Sequence, residues 1–283
     1  MDATPRTITP GPDGVDYAAF LRTTLPHQPH NLAAYVLTTL DGSLPPEQVW
    51  LKKAGPRNPR WRYAALGALA ELVRLEALQP VPNPGGAVSV QTEARRLTEL
   101  QALGLRVPPL LAVQEDGLLI RHLGRTGAPT KSLADEMHHA ALETPHTVLP
   151  LWQQGLAAIG AVHDADTCLS QAFARNLVRC PDGVVGYIDF EDDPAATLPL
   201  GQCQVRDVLC YAHSTALYLQ DVGALAQASA LWAEWRAQRP ADLQALLQTS
   251  TNRMRWMHHL PADRRLGRDL QRARMAYALL DGR

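Results

Sequence analysis

Residues 184–190 read Val-Val-Gly-Tyr-Ile-Asp-Phe, an apolar run that ends abruptly in Asp189 and continues into Glu191. A carboxylate at the end of a buried strand is costly unless something pairs with it, and a metal ion is one natural partner. Thirteen residues upstream stands Asn176, in a polar turn ahead of a second short apolar piece, Leu177-Val178. Pro181-Asp182-Gly183 is a turn signal between the two pieces. An amide oxygen and a carboxylate brought together across that hairpin suit one hard cation such as Mg²⁺. The plainer reading of the same residues is a capped turn and a surface acid.

Composition narrows the field around this stretch. The chain has 283 residues, 46% hydrophobic and 19% charged, which permits a sizeable packed core and argues against global disorder. A formal net charge of −1 argues against a generic nucleic-acid binder, whose affinity would rest on neutralising phosphates. No apolar run approaches the roughly 20 residues needed to span a bilayer. The opening MDATPRTITPGPDG lacks a basic-then-apolar signal pattern, so the expectation is a cytoplasmic protein, with peripheral attachment to the inner membrane as an alternative. Cys168, Cys180, Cys203 and Cys210 lack zinc-site spacing and read as free, buried thiols.

Outward from the acidic strand end, the chain divides into a mixed part and a helical part. Residues 1–30, rich in Pro, Thr and Gly, read as an irregular leader. Residues 34–40 (AYVLTTL) and 48–53 (QVWLKK) read as strands. A basic, proline-punctuated segment follows with Arg57, Arg60 and Arg62, then a helical pattern over 64–78. Residues 90–103 form a second helical pattern closed by Gly104, and 107–111 and 118–120 read as strands around an Asp116-Gly117 turn. From about residue 133 onward the pattern is mainly helical. The expected domains are a leader over 1–30, a small lobe over 31–124 with an insertion at about 54–88, and a helical lobe over 125–283.

Residues 163–176 (HDADTCLSQAFARN), followed by Ile188-Asp189-Phe190-Glu191, resemble the catalytic loop and metal-binding strand end of the protein-kinase-like superfamily. The IDFE sequence resembles the aminoglycoside phosphotransferase and choline kinase branch. The pieces VWLKK, PRNPRWRY, TEARRL and LGLRVPPLL resemble the small atypical kinases of the KEOPS tRNA-modification complex and the lipopolysaccharide-core kinases. The resemblance covers roughly residues 31–220. It implies an α+β, two-lobed protein-kinase-like fold with a small β-rich N-lobe and a larger helical C-lobe. It also implies ATP and Mg as cofactors. Lys52 or Lys53 would hold the nucleotide phosphates, Glu93 would pair with that lysine, and Asn176 and Asp189 would carry the metal. Residues 119–124 (LIRHLG) would be the adenine-contacting hinge. Asp207 would be a buried acid that hydrogen-bonds the catalytic-loop backbone.

Three departures bear on activity. The family's catalytic-base position is Gln171, a neutral amide that cannot serve as a general base at pH 7. Asp164 or Asp166 is a substitute base to consider. There is no Gly-rich phosphate loop, since only Gly42 lies between the two strands read first. If Lys52 is the phosphate ligand, Trp50 lies on its strand face, where a small residue usually roofs the adenine. With Lys53 the roof position falls to Leu51.

The resulting expectation is a nucleotide- and Mg-binding protein. It is either an atypical ATP-dependent phosphotransferase of weak or unusual activity, or a pseudokinase acting as a nucleotide-sensing scaffold. Besides the nucleotide, the partner is an acceptor left open among small molecules, glycolipids and proteins. The basic segment also leaves nucleic acid open. Paired His138-His139 and His258-His259 make poor metal sites, because adjacent residues point apart on a helix.

Overall fold

The computed structural model describes residues 3–8, 10–11, 14–39, 42, 44–56, 77, 81, 85–260 and 267–282. The chain is mixed α+β and divides into two compact units. The first comprises Met1–Arg62, Pro82–Thr130 and Arg179–Asp193; the second comprises Tyr63–Val81, Lys131–Val178 and Pro194–Arg283.

The first unit is built on a five-stranded sheet. Its strands are β1 (Thr4–Ile8), β4 (Leu32–Thr39), β5 (Glu47–Lys53), β6 (Leu110–Gln114) and β7 (Gly117–Arg121), with β2 (Pro10–Gly11) and β3 (Gly14–Val15) forming a separate two-stranded ladder. The spatial order is β1-β4-β5-β7-β6. β1 runs parallel to β4, and every other neighbouring pair in the sheet is antiparallel. A parallel pair requires a crossover rather than a tight turn. Here α1 (Tyr17–Thr24) lies in that connection, begun by Asp16, whose carboxylate accepts from the Ala19 N–H.

Side-chain alternation on β5 decides what each face of the sheet does. Val49 and Leu51 are fully buried against Tyr35, Leu37 and Leu119, and against Phe20, Leu21 and Leu25 from α1 and the turn after it. The opposite face carries Gln48, Trp50 and Lys52. Lys52 pairs in register with Leu118, and Trp50 with Ile120. There Leu118 and Ile120 meet Val90 and Ala94 of α2 (Gly86–Ala102), so α2 covers the face that holds Lys52.

Two sequence expectations are corrected. Residues 1–30 are not an irregular leader: β1 joins the sheet, and α1 buries Phe20 and Leu21 in its core. The apolar spacing of Phe20, Leu21 and Leu25 was already helical, but Pro, Gly and Thr around it hid so short an element. The stretch 179–193 belongs to the first unit rather than to a helical lobe beginning at 125, and that unit runs on to Thr130. In β9 (Val185–Tyr187), which follows β8 (Leu177–Arg179) in the chain, Tyr187 N–H donates to Arg106 C=O at 2.8 Å. A Cβ on Gly186 would stand 2.8 Å from Leu123 Cδ1 and 3.1 Å from the Arg106 carbonyl oxygen, so a larger residue would require the Leu123 side chain to shift and would crowd the Arg106 backbone. Apart from Ala77, the helix expected over 64–78 lies outside the described residues, as do the arginines Arg57, Arg60 and Arg62.

The second unit is helical: α3 (Leu133–Glu143), α4 (Val148–Asp164), α5 (Leu200–Asp221), α6 (Leu225–Ala237), α7 (Ala241–Arg253) and α8 (Arg268–Asp281). Ser132 and Asp135 form a capping box that starts α3. The Tyr211 hydroxyl on α5 donates to Trp152 C=O on α4 at 2.7 Å. Trp232 Nε1–H and the Ser229 hydroxyl tie α6 to the last carbonyls of α8. The four cysteines are free and buried. Among the described residues, no helix is long and apolar enough to cross a membrane.

The turn at 180–184 supplies a local test. Gly183 has φ +83° and donates its N–H to Cys180 C=O, with open space where a Cβ would go. Gly183→Ala should therefore cost about 1 kcal/mol from backbone conformation alone, without a clash, measured by urea denaturation.

Candidate functional site

Lys52 is the centre of a charged cluster within the first unit. Its Nζ lies 2.6 Å from Glu93 Oε2, 2.8 Å from Glu191 Oε1 and 3.7 Å from Asp189 Oδ1. β5 presents the lysine; α2 presents Glu93 one turn after Val90 and beside Ala94, the residues that seat the helix on the sheet. The Glu93 side chain is 3% exposed. Burial acts against the charge on Lys52, but the carboxylates of Glu93, Glu191 and Asp189 outweigh it and hold the ammonium well above the ordinary lysine range. Burial also pushes the Glu93 carboxyl up, with Lys52 pulling it the other way.

The acidic stretch is held in place by its own contacts. Arg95 on α2 bonds Asp193 at 2.6 Å. Arg106 pairs with Asp182 at 2.9 Å in the turn before β9. Asp189 itself has φ +73°, one of two non-glycine residues with positive φ among those described. A β-carbon in that region costs of order 1 kcal/mol or more, and such strain gathers at functional positions.

Of the two candidate lysines, Lys52 enters the cluster; the backbone N–H of Lys53 bonds Asn31 C=O, and its side chain belongs to the other face of β5. Trp50 therefore shares the Lys52 face. Its indole N–H donates to His122 Nδ1 at 3.0 Å, and His122 Nε2 lies 3.0 Å from Ala128 C=O and 3.1 Å from Thr130 Oγ1. With Nδ1 accepting, the neutral ring carries its proton on Nε2. Burial lowers the His122 pKa, which favours this neutral form.

Gln171 and Asn176 lie in the second unit. Asn176 ends a 3₁₀ turn (Ala174–Asn176) and donates its side-chain N–H to the backbone carbonyl of Gln171 at 3.0 Å. The Gln171 side-chain oxygen accepts a long 3.4 Å bond from Arg175. Asp207, fully buried on α5, accepts from the Leu169 N–H at 2.8 Å and faces His163 Nε2 at 3.2 Å. This is the acid-to-loop-backbone bond expected from the sequence. Asp164 is engaged by Arg239 at 2.7 Å.

The structure thus brings together Lys52, Glu93 and Asp189 in one unit, and Gln171 with Asn176 in the other. Sequence reasoning missed Glu191 as a partner of Lys52, although its position two residues after Asp189 was a usable signal. It also missed the Trp50–His122 bond, which joins residues 72 apart. Among the described residues, no group of three or more His, Cys, Asp or Glu is arranged to hold a metal ion. The donors present are hard oxygens, which suit a cation that completes its shell with water and ligand phosphates rather than one caged by protein. No family model matches the sequence, and no curated protein matches it.

Two variants test these anchors. Lys52→Met should destabilise the chain by about 3–5 kcal/mol by stranding the buried Glu93, and adding Glu93→Leu should restore most of that loss in chemical denaturation. Asp207→Ala, which leaves the Leu169 N–H and His163 without their acceptor, should cost about 3 kcal/mol by the same measurement.

Proposed function

We propose that this chain is a protein-kinase-like nucleotide- and Mg-binding protein, an atypical ATP-dependent phosphotransferase of weak or unusual activity. One observation carries the reading: a lysine on a central strand is paired to a buried glutamate from the covering helix, with Asp189 at a strand end close to the same ammonium. A buried ion pair is a poor device for stability alone, because a well-packed apolar pair does as well or better. Its presence fits a lysine kept charged and aimed for an anion. Lys52 on a central strand and Glu93 on the helix that follows it in the chain are where the resemblance puts the phosphate-binding lysine and its partner.

In this reading Lys52 binds phosphate oxygens as a charge-assisted donor and Glu93 orients it. Asp189 would offer an oxygen to Mg²⁺, which when bound supplies positive charge to the transferring phosphoryl group, and the resemblance gives Asn176 the same role. Gln171 positions the acceptor hydroxyl through its amide oxygen without taking its proton at neutral pH. Loss of a general base slows such a reaction by about 10²–10⁴-fold, whereas phosphate positioning and charge stabilisation remain. The pseudokinase reading is carried by the same residue: a neutral Gln171 is compatible with nucleotide binding and no transfer at all.

ATP with Mg²⁺ should raise the Tm of the wild-type chain; at 100 times Kd the stabilisation is about 2.7 kcal/mol. Asp189→Ala should abolish the shift. Gln171→Asp should raise ATP turnover about 10²-fold or more if the site is otherwise competent. A wild-type background marks the enzyme and its absence the pseudokinase. Absence of any ATP–Mg²⁺ shift in the wild type overturns the proposal.

A further inference from the structure

An ammonium has three N–H donors. On Lys52 the three nearest acceptors are carboxylates of its own chain: Glu93, Glu191 and, at longer range, Asp189. One positive and three negative charges meet there, a formal sum of −2. An entering phosphate therefore finds its cationic partner already engaged, within a negative field.

The three acids are not equivalent. Glu93 is 3% exposed and fixed by the packing of α2, so it belongs to the scaffold. Glu191 is 42% exposed and Asp189 39%, and both lie on irregular backbone after β9. Yet it is Glu191, not Asp189, that makes the close contact with Lys52 besides Glu93, at 2.8 Å against 3.7 Å. A solvent-accessible carboxylate on a two-methylene stem, seated on a half-buried lysine, has the chemistry of an internal stand-in for a phosphate oxygen.

We infer that Glu191 is a built-in competitor for the phosphate-binding ammonium of Lys52, so that a polyphosphate ligand binds only with a divalent cation, held at Asp189, whose charge offsets the negative field and lets the ligand displace Glu191 from the lysine. This inference rests on the phosphate-binding role proposed above for Lys52. It adds a requirement that the phosphate role alone does not contain: metal-free polyphosphate is excluded by the protein's own acid. The competition is electrostatic and independent of the nucleobase, so it applies equally to ATP and to inorganic tripolyphosphate. It also weakens as salt screens the two exposed carboxylates.

The test is isothermal titration calorimetry of the full chain, wild type and Glu191→Gln, with ATP and with tripolyphosphate, in EDTA and in excess Mg²⁺. Because Glu191 is exposed and the amide keeps its shape, the variant should stay folded, which its circular dichroism verifies. The expected result is wild-type binding in Mg²⁺ only. In EDTA, Glu191→Gln should bind both ligands at least tenfold more tightly than wild type, and in Mg²⁺ the two proteins should agree within about threefold. Equal affinities in EDTA, with normal binding of both proteins in Mg²⁺, overturn the competitor role and leave the proposed function standing. A variant that loses Mg²⁺-dependent binding makes Glu191 a cation ligand and likewise overturns the inference. A gain for ATP but not for tripolyphosphate overturns it as well. No binding of either ligand to either protein, in Mg²⁺ or EDTA, removes the phosphate role of Lys52 itself.

Discussion

The ion pair between Lys52 and Glu93 sets the terms for the rest of the first unit. It joins β5 to α2 across 41 positions of sequence, inside an apolar seam formed by Leu118, Ile120, Val90 and Ala94. Desolvating both charges is expensive, and the geometry must be good to offset it. α2 is thereby restricted to one rotation and one height on the sheet: a slip of one residue would bury a charge without a partner. The same restriction places Arg95 on the flank where it meets Asp193, so the helix that holds the lysine also tethers the acidic stretch.

A second buried acid plays the corresponding part in the helical unit. The segment between α4 and the 3₁₀ turn at Ala174–Asn176 has no ladder or helix of its own to satisfy its backbone. Asp207 supplies an acceptor from α5, and the Ser214 hydroxyl accepts from the Ala174 N–H. Gln204 on the same helix donates to Thr167 C=O. One helix thus pins an irregular loop at several points, and Gln171 and Asn176 owe their positions to it.

Trp50 gives the Lys52 face a character that a small residue at that position would not. The indole lies two residues from the lysine and is held by a neutral His122, itself bonded to the segment after β7. Bulk and orientation are both specified, since an indole N–H has one donor and the imidazole one acceptor to receive it. The face is therefore part apolar wall and part charged cluster, divided along a single strand.

Local pattern was enough to read much of this. Period-two alternation in VWLKK, the helix over 90–103 and the turn residues at Asp116-Gly117 and Pro181-Asp182-Gly183 are short-range properties, and each element formed within a few residues of its expected bounds. Lys52, Glu93, Asp189, Gln171 and Asn176 were visible as candidates for the same reason: residue type and spacing survive without coordinates. The short helix at 17–24 was not legible, because its core partners Tyr35, Leu37, Val49 and Leu119 are distant in sequence and outweigh the Pro- and Gly-rich composition around it. Nor was the choice between Lys52 and Lys53, which adjacent positions leave open until the sheet assigns each a face. The seat of Glu191 on Lys52 and the Trp50–His122 bond were likewise decided by tertiary structure alone. Both depend on distances between chain segments, and those are set by packing and buried charge rather than by any local preference of the residues concerned.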